Sequence, residues 1–396
     1  MARSQLEIAD IFRHHGQQWR DAHQGHIGLS QLKVMSAIEH CRSEVLGGHV
    51  LRCQACEHLQ IAYNSCRNRH CPKCQASSAK RWLEARQTQL LPVDYYHLVF
   101  TLPSEVGELA YYNKSLMYDL LMKAAAETLL RIGADEKHLG ARLGVTFVLH
   151  TWGSAMTHHP HVHGIVPGGG LSIDGEQWVS CKSGFFLPVR VLSRLFRRLY
   201  LEKLYEIYQQ GRLMFFGNDR KLENEVVFEQ WLAPLRRTEW VVYAKRPFAG
   251  PKAVLAYLSR YTHRVAMSNS RLVKLDKDCV TFHWKNYRVK EQRRYRTMCL
   301  THDEFIRRFL LHVLPSGFHR IRHYGLIANT GCKKNFAKAR QLLKVKEPEL
   351  VVADQVDGSQ QCDSTYICPE CGGTMVIKEI LISQLIPRAP PLLSVK

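Results

Sequence analysis

The sequence has no apolar run long enough to cross a bilayer as a helix. Its start, MARSQLEIADIFRHHGQQWR, is polar and mixed in charge and lacks the apolar stretch of a secretory signal. A cytoplasmic location without membrane contact is the expectation. Acidic residues are also scarce, with 35 Asp and Glu against 55 Lys and Arg, a formal net charge of +20. That imbalance points to a polyanionic partner, because neutralising phosphates releases counterions and favours binding whatever the base sequence. Carboxylates are not grouped at the spacing a shared acidic metal site requires, and no internal repeat organises the chain. What remains, over 396 residues of 45% hydrophobic content, is enough for two or three globular domains.

Histidine is concentrated where carboxylates are not. HHPHVHGIVPGGG, residues 158 to 170, places His161 and His163 on either side of Val162. In a strand, side chains at i and i+2 share a face, whereas in a helix they diverge. Val162, Ile165 and Val166 favour the strand, which aims both imidazoles at one point as neutral nitrogen ligands. A solvated His-rich turn is the plain alternative.

Thirteen cysteines, in a chain without a secretory signal, read as metal ligands before disulfides. Cys53 and Cys56 in CQAC, and Cys71 and Cys74 in CPKC, are separated by fourteen residues that include HLQIAYN, a candidate hairpin strand. Two such knuckles close a tetrahedral Zn2+ site of the zinc-ribbon kind. Cys41, His49, Cys66 and His70 lie near enough in sequence to substitute or to form a second site. The late CPECGG (Cys368, Cys371) is half a site, with Cys332 and Cys362 nearby as partners.

Between these cysteines, YYHLVFTL and GVTFVLHTW read as strands, and LMYDLLMKAAAETLLRIG and VLSRLFRRLYLEKLYEIYQQG as helices, an α+β pattern. The domains expected are a zinc module over 1–92, a catalytic unit over 93–330 and a C-terminal tail over 331–396. SSAKRWLEARQTQLL reads as a helix and DQVDGSQQCDST as a linker. In FAGPKAVLAYLSRYTHRV, Pro251 suits a helix start, and Tyr257 and Tyr261 then share a face with Arg260 and Arg264 beside them. Taken alone, that pair reads equally as a buried stripe.

YHLVFTLP, HPHVH, YLSRY and the cysteine-rich YNSCRNRHCPKCQ together resemble the two-tyrosine HUH transposases of rolling-circle insertion sequences, the insertion sequence 91 family. The resemblance runs along nearly the whole chain. It implies a central antiparallel sheet covered by helices, with His161 and His163 holding Mg2+ or Mn2+ and Tyr257 and Tyr261 as nucleophiles. It also implies a zinc domain that assists recognition of DNA. A third metal ligand is expected. His150 lies across a hairpin and meets His163 if the turn is centred between residues 156 and 157, while a slip of one residue turns it away. His158 and His159 are alternatives. The basic and aromatic tract from 280 to 296, with Trp284, Lys285 and Arg288, suits a single DNA strand. Two other functions fit parts of the pattern: a non-catalytic zinc-ribbon DNA-binding regulator and a metal-dependent hydrolytic nuclease.

Overall fold

The computed structural model describes residues 6–75, 77, 79, 90–245, 264–286, 289, 294–328, 330–345 and 366–384. In chain order its strands are β1 (Gly48–Cys53), β2 (Leu59–Tyr63), β3 (Tyr95–Thr101), β4 (Ala141–Arg142), β5 (Gly144–Trp152), β6 (His158–Pro167), β7 (Gly169–Ser172) and β8 (Trp178–Ser180). These are followed by β9 (Val242–Lys245), β10 (Leu272–Leu275), β11 (Cys279–Lys285), β12 (Tyr295–Thr301), β13 (Ile321–Gly325), β14 (Tyr366–Ile367) and β15 (Thr374–Leu381). The expected strands at residues 95 to 101 and 144 to 152 are present, as are the expected helices, at Lys114–Ala134 and Val189–Gln209. The fold is α+β, with antiparallel sheets.

Alternation along HHPHVHGIVP decides the architecture. Val162, Gly164 and Val166 take one face of β6, and His161, His163 and Ile165 the other. β6 sits at the centre of a five-stranded antiparallel sheet ordered β13-β5-β6-β3-β9. On the valine face, Leu98, Phe100, Phe147 and Leu149 join Val162 and Val166 in the main core, against the helices Lys114–Ala134 and Val189–Gln209. The first helix is rich in Ala and Leu, strong helix formers, and is apolar almost all round because it is covered on several sides. The second is amphipathic: Leu192, Phe196, Leu199 and Leu204 are buried, and Arg190, Arg194 and Arg198 are exposed. Phe100 meets Phe147 and Phe196 edge to face, with centroids 5.9 Å and 5.1 Å apart.

A second core joins the N-terminal helices Ile8–Ala22 and Leu29–Glu39 to the sheet β10-β11-β12 and the helix His302–Leu311. Phe12 packs on Phe309 at 5.4 Å and Phe282 on Phe305 at 5.8 Å. Cys41, Cys71 and Cys74 belong to this core, so packing crosses the boundary expected at residue 92. Met156, at the tip of the β5–β6 hairpin, is fully buried in it.

The C-terminal segment departs from expectation. Instead of forming a separate tail, β15 pairs antiparallel with β1, from Gly48 opposite Leu381 to Cys53 opposite Met375. The sheet is ordered β14-β15-β1-β2. The reason is an unpaired strand edge: the β1–β2 hairpin alone would leave one side of β1 without backbone partners. The expected helix at SSAKRWLEARQTQLL, the tyrosine helix and the linker fall almost wholly outside the described residues. Among the described residues no helix is long and apolar enough to cross a membrane.

Gly164 marks how tightly the central strand meets its core, since a Cβ there would come within 2.5 Å of the Phe147 ring. Gly164→Val is expected to destabilise the protein by about 1–3 kcal/mol through overpacking. A thermal-unfolding midpoint unchanged from wild type would contradict this packing.

Candidate functional site

The histidine face is built by pairing. In β5–β6, His150 stands opposite His161, and Val148 opposite His163, with the register shifting between His150 and Trp152. The turn closes through Gly153 and Thr157, with Met156 at a left-handed φ of 57°. This differs by two residues from the pairing that would set His150 against His163. A shift of two, unlike a shift of one, leaves His150 on the same face. The ring centroids lie 5.5 Å (His150 to His161), 4.5 Å (His150 to His163) and 4.9 Å (His161 to His163) apart. One ring nitrogen from each lies within 4.8 Å of the others.

Hydrogen bonds dispose these rings to bind a cation. His161 Nδ1 donates to the His159 carbonyl at 2.7 Å, which places the proton on Nδ1 and leaves the Nε2 lone pair available. His163 Nδ1 pairs with His97 Nε2 at 2.8 Å, leaving His163 Nε2 toward the group. Burial holds the His161 pKa down to about 4 and that of His163 well below the ordinary imidazole value, with His150 adding to the effect on His163. Burial likewise lowers His97 to about 4. His161 and His163 are thus neutral at pH 7, the form in which imidazole is a ligand. Neutral nitrogen donors at this separation, with one tautomer fixed by a carbonyl, fit a divalent ion.

The other histidines of the motif have different partners. His158 Nε2 accepts from the Tyr118 hydroxyl at 2.7 Å while its Nδ1 donates to the Gly107 carbonyl at 3.1 Å, a structural role. His159 supplies its carbonyl to His161. His97 and Trp152, which stacks on His150 at 4.7 Å, were not singled out in the sequence. Strand alternation in YYHLVFTL carried the signal for His97, since it puts that side chain on the face opposite Leu98 and Phe100.

Of the residues expected to meet DNA, Arg264 is exposed and lies close enough for its charge to lower the pKa of His161 and His163 further. Trp284 packs at the edge of the second core, and the Lys285 amine lies 5.3 Å from the Tyr295 ring centroid. The Lys285 backbone N–H donates to Ser154 Oγ at 2.6 Å, so this tract abuts the tip of the histidine hairpin. Tyr257, Tyr261, Arg260 and Arg288 lie outside the described residues.

The cysteine assignment requires correction. Cys53, Cys56, Cys71 and Cys74 do not converge; the described residues form two groups, Cys41, Cys66, Cys71 and Cys74, and Cys53, Cys56, Cys368 and Cys371. The β1–β2 hairpin itself separates them. Cys53 and Cys56 sit at its turn, whereas Cys41 and Cys66 flank its open end, roughly 17 Å away for a strand of this length. Cys368 and Cys371 therefore meet Cys53 and Cys56, without Cys332, while Cys362 lies outside the described residues. His70 is no ligand here: its Nε2 accepts from the Leu314 N–H at 3.4 Å, and burial lowers its pKa to about 3. Next to it, Arg69 donates to the carbonyls of Pro315 and Phe318, fastening the group of Cys41, Cys66, Cys71 and Cys74 to the chain leading into β13. Cys279 and Cys299, on β11 and β12, form a disulfide.

Comparison with known proteins agrees with this anatomy. Residues 11–102 match the family described as "Transposase zinc-binding domain", and residues 144–335 the family described as "Putative transposase". The chain is 55% identical over 348 residues to "Putative transposase y4qJ" of Sinorhizobium fredii, covering 88% of this chain and 87% of the relative. It is 25% identical over 361 residues to the transposase for insertion sequence element IS801 of Pseudomonas savastanoi pv. phaseolicola, covering 88% and 84%. The chain belongs to the insertion sequence 91 family of transposases. The zinc-binding match and the two cysteine groups support structural zinc. Solved structures of the conjugative relaxase TrwC with DNA overlap at a TM-score of 0.23, with 15% and 17% identity over 42% and 46% of this chain and 71% and 68% of theirs, too slight a likeness to argue from.

The two histidine roles separate experimentally. His158→Phe leaves the buried Tyr118 hydroxyl without its acceptor and is expected to cost about 1–3 kcal/mol in thermal stability. His161→Gln is expected to leave the melting temperature nearly unchanged. The reverse pattern in paired thermal-unfolding scans would contradict this assignment.

Proposed function

We propose that this chain is a rolling-circle transposase that cleaves and rejoins single-stranded transposon ends through 5′-phosphotyrosine intermediates, acting on DNA in the bacterial cytoplasm and nucleoid. The supporting observation is the group of three imidazoles on the central strand pair of an insertion sequence 91 family member. His161, His163 and His150 would hold a divalent ion, Mg2+ or Mn2+. An all-nitrogen donor set suits Mn2+ better than Mg2+, which prefers oxygen. When bound, the ion would supply Lewis-acid neutralisation of charge at the scissile phosphate.

The protein's own groups carry the remaining steps. Tyr257 or Tyr261 attacks phosphorus through its phenolic oxygen, and an O–P bond forms as the bond from phosphorus to the 3′ oxygen breaks. The phenol loses its proton and the departing oxygen gains one, leaving a 3′-hydroxyl. Attack of a 3′-hydroxyl on the phosphotyrosine then reverses the exchange and frees the phenol. Two tyrosines allow one end to stay attached while a second is cut. His97 and the His159 carbonyl orient the ligand rings. Arg264 and Trp284, with Lys285, Arg260 and Arg288, would hold phosphates and stack on unpaired bases.

Adduct formation on a labelled single-stranded transposon end, read on a denaturing gel, tests the chemistry. Tyr257→Phe and Tyr261→Phe should each retain a measurable adduct, and the double variant should form none. His161→Ala or His163→Ala should lower cleavage on the order of 100-fold or more while DNA binding largely persists. An undiminished adduct in the double Phe variant would exclude the tyrosine mechanism, and nicking without any adduct would favour hydrolysis.

A further inference from the structure

We propose that Cys53, Cys56, Cys368 and Cys371 form a second structural zinc site, assembled half from each end of the chain, which clamps β15 onto β1 and releases its metal more readily than the first. Cys368 and Cys371 lie far outside the matched zinc-binding region, residues 11–102.

The two Cys-x-x-Cys turns are backbone copies of each other. The Cys53 N–H donates to the His58 carbonyl at 2.9 Å, and the Cys368 N–H to the Gly373 carbonyl at 2.8 Å. The Glu57 N–H donates to the Cys53 carbonyl at 3.2 Å, and the Gly372 N–H to that of Cys368 at 3.0 Å. Glu57 and Gly372, at matching positions, both take left-handed φ, 61° and 74°. Each turn also aims a backbone N–H at its first or second sulfur: Ala55 to Cys53 Sγ and Gly373 to Cys371 Sγ, both at 3.4 Å. Such donors favour thiolates, the ligating form.

The turns face each other sulfur to sulfur. Cys53 Sγ lies 3.5 Å from Cys371 Sγ, and Cys56 Sγ 3.6 Å from Cys368 Sγ. Zn–S bonds of about 2.3 Å in a tetrahedron set sulfurs roughly 3.8 Å apart, close to the separation found. A Cβ at Gly373 would lie 3.3 Å from both Cys371 Sγ and Cys53 Sγ, so the backbone is drawn in against the sulfurs. The apolar cluster behind them, Leu51, Cys53, Cys368 and Met375, is too small to hold a four-stranded sheet by burial alone. Lability follows from exposure. Cys56 and Cys371 are exposed, whereas Cys41, Cys71 and Cys74 are buried within the second core.

Zinc content of the full-length, reduced protein, measured by elemental analysis, tests the site. Two zinc ions per chain are expected. Substituting Cys368→Ser with Cys371→Ser should leave one, as should Cys53→Ser with Cys56→Ser. The quadruple variant should still hold one, because both pairs serve the same ion. One zinc in the wild type, two after the C-terminal substitutions, or none in a quadruple variant with wild-type circular dichroism would overturn the proposal. Wild-type protein decides independently of whether variants fold: under a graded chelator, alkylation mapped by mass spectrometry should reach Cys53, Cys56, Cys368 and Cys371 together, ahead of Cys41, Cys66, Cys71 and Cys74. Immediate alkylation of Cys368 and Cys371 in zinc-loaded protein without chelator would overturn it equally.

Discussion

The register of β5 against β6 is the constraint on which the rest of the site depends. It places His150, His161 and His163 on one face and Leu149, Val162 and Val166 on the other, and a slip of one residue in β5 would exchange His150 with Leu149. Several contacts hold that register at the hairpin tip. Met156 is buried in the second core, Arg271 donates to the Ser154 carbonyl, and Arg308 donates to the Ala155 carbonyl at 3.1 Å. The tip is therefore fastened by the sheet β10-β11-β12 and the helix that follows it. Those elements pack in turn on the N-terminal helices and the first cysteine group.

This linkage gives the zinc module a mechanical meaning. Cys41, Cys71 and Cys74 share a core with Met156, so order at the first cysteine group supports the hairpin that presents the histidines. Arg69 adds a second tie, to the segment before β13, the edge strand beside β5. Burial then sets the chemistry of the rings: desolvation disfavours the imidazolium and keeps lone pairs available at neutral pH.

Much of this was legible in the sequence because its signals are local. Strand alternation in HHPHVHGIVP and YYHLVFTL, and helical periodicity in the two long apolar segments, survive folding because each element buries one face or nearly all of itself. His150 was legible as a same-face candidate, but its partner was not, because the position of the hairpin turn and the one-residue register shift between His150 and Trp152 leave no mark in composition. The cysteine pairing failed for a different reason. Sequence proximity suggested that knuckles at 53–56 and 71–74 meet, yet an intervening hairpin carries them to opposite ends, and the true partner of the first lies more than three hundred residues away. Long-range closure of that kind is invisible to spacing. His97 was missed because a single histidine in an apolar strand looks like core until its neighbour across the sheet is known.

The claim that the hairpin presents one divalent-ion site made by three imidazoles is tested most directly by Mn2+ binding, followed by electron paramagnetic resonance on the full-length, zinc-loaded protein without DNA. The account predicts one Mn2+ site per chain that is lost in His161→Ala and His163→Ala, weakened in His150→Ala, and retained in His158→Phe. Mn2+ binding of unchanged affinity in His161→Ala and His163→Ala would contradict it.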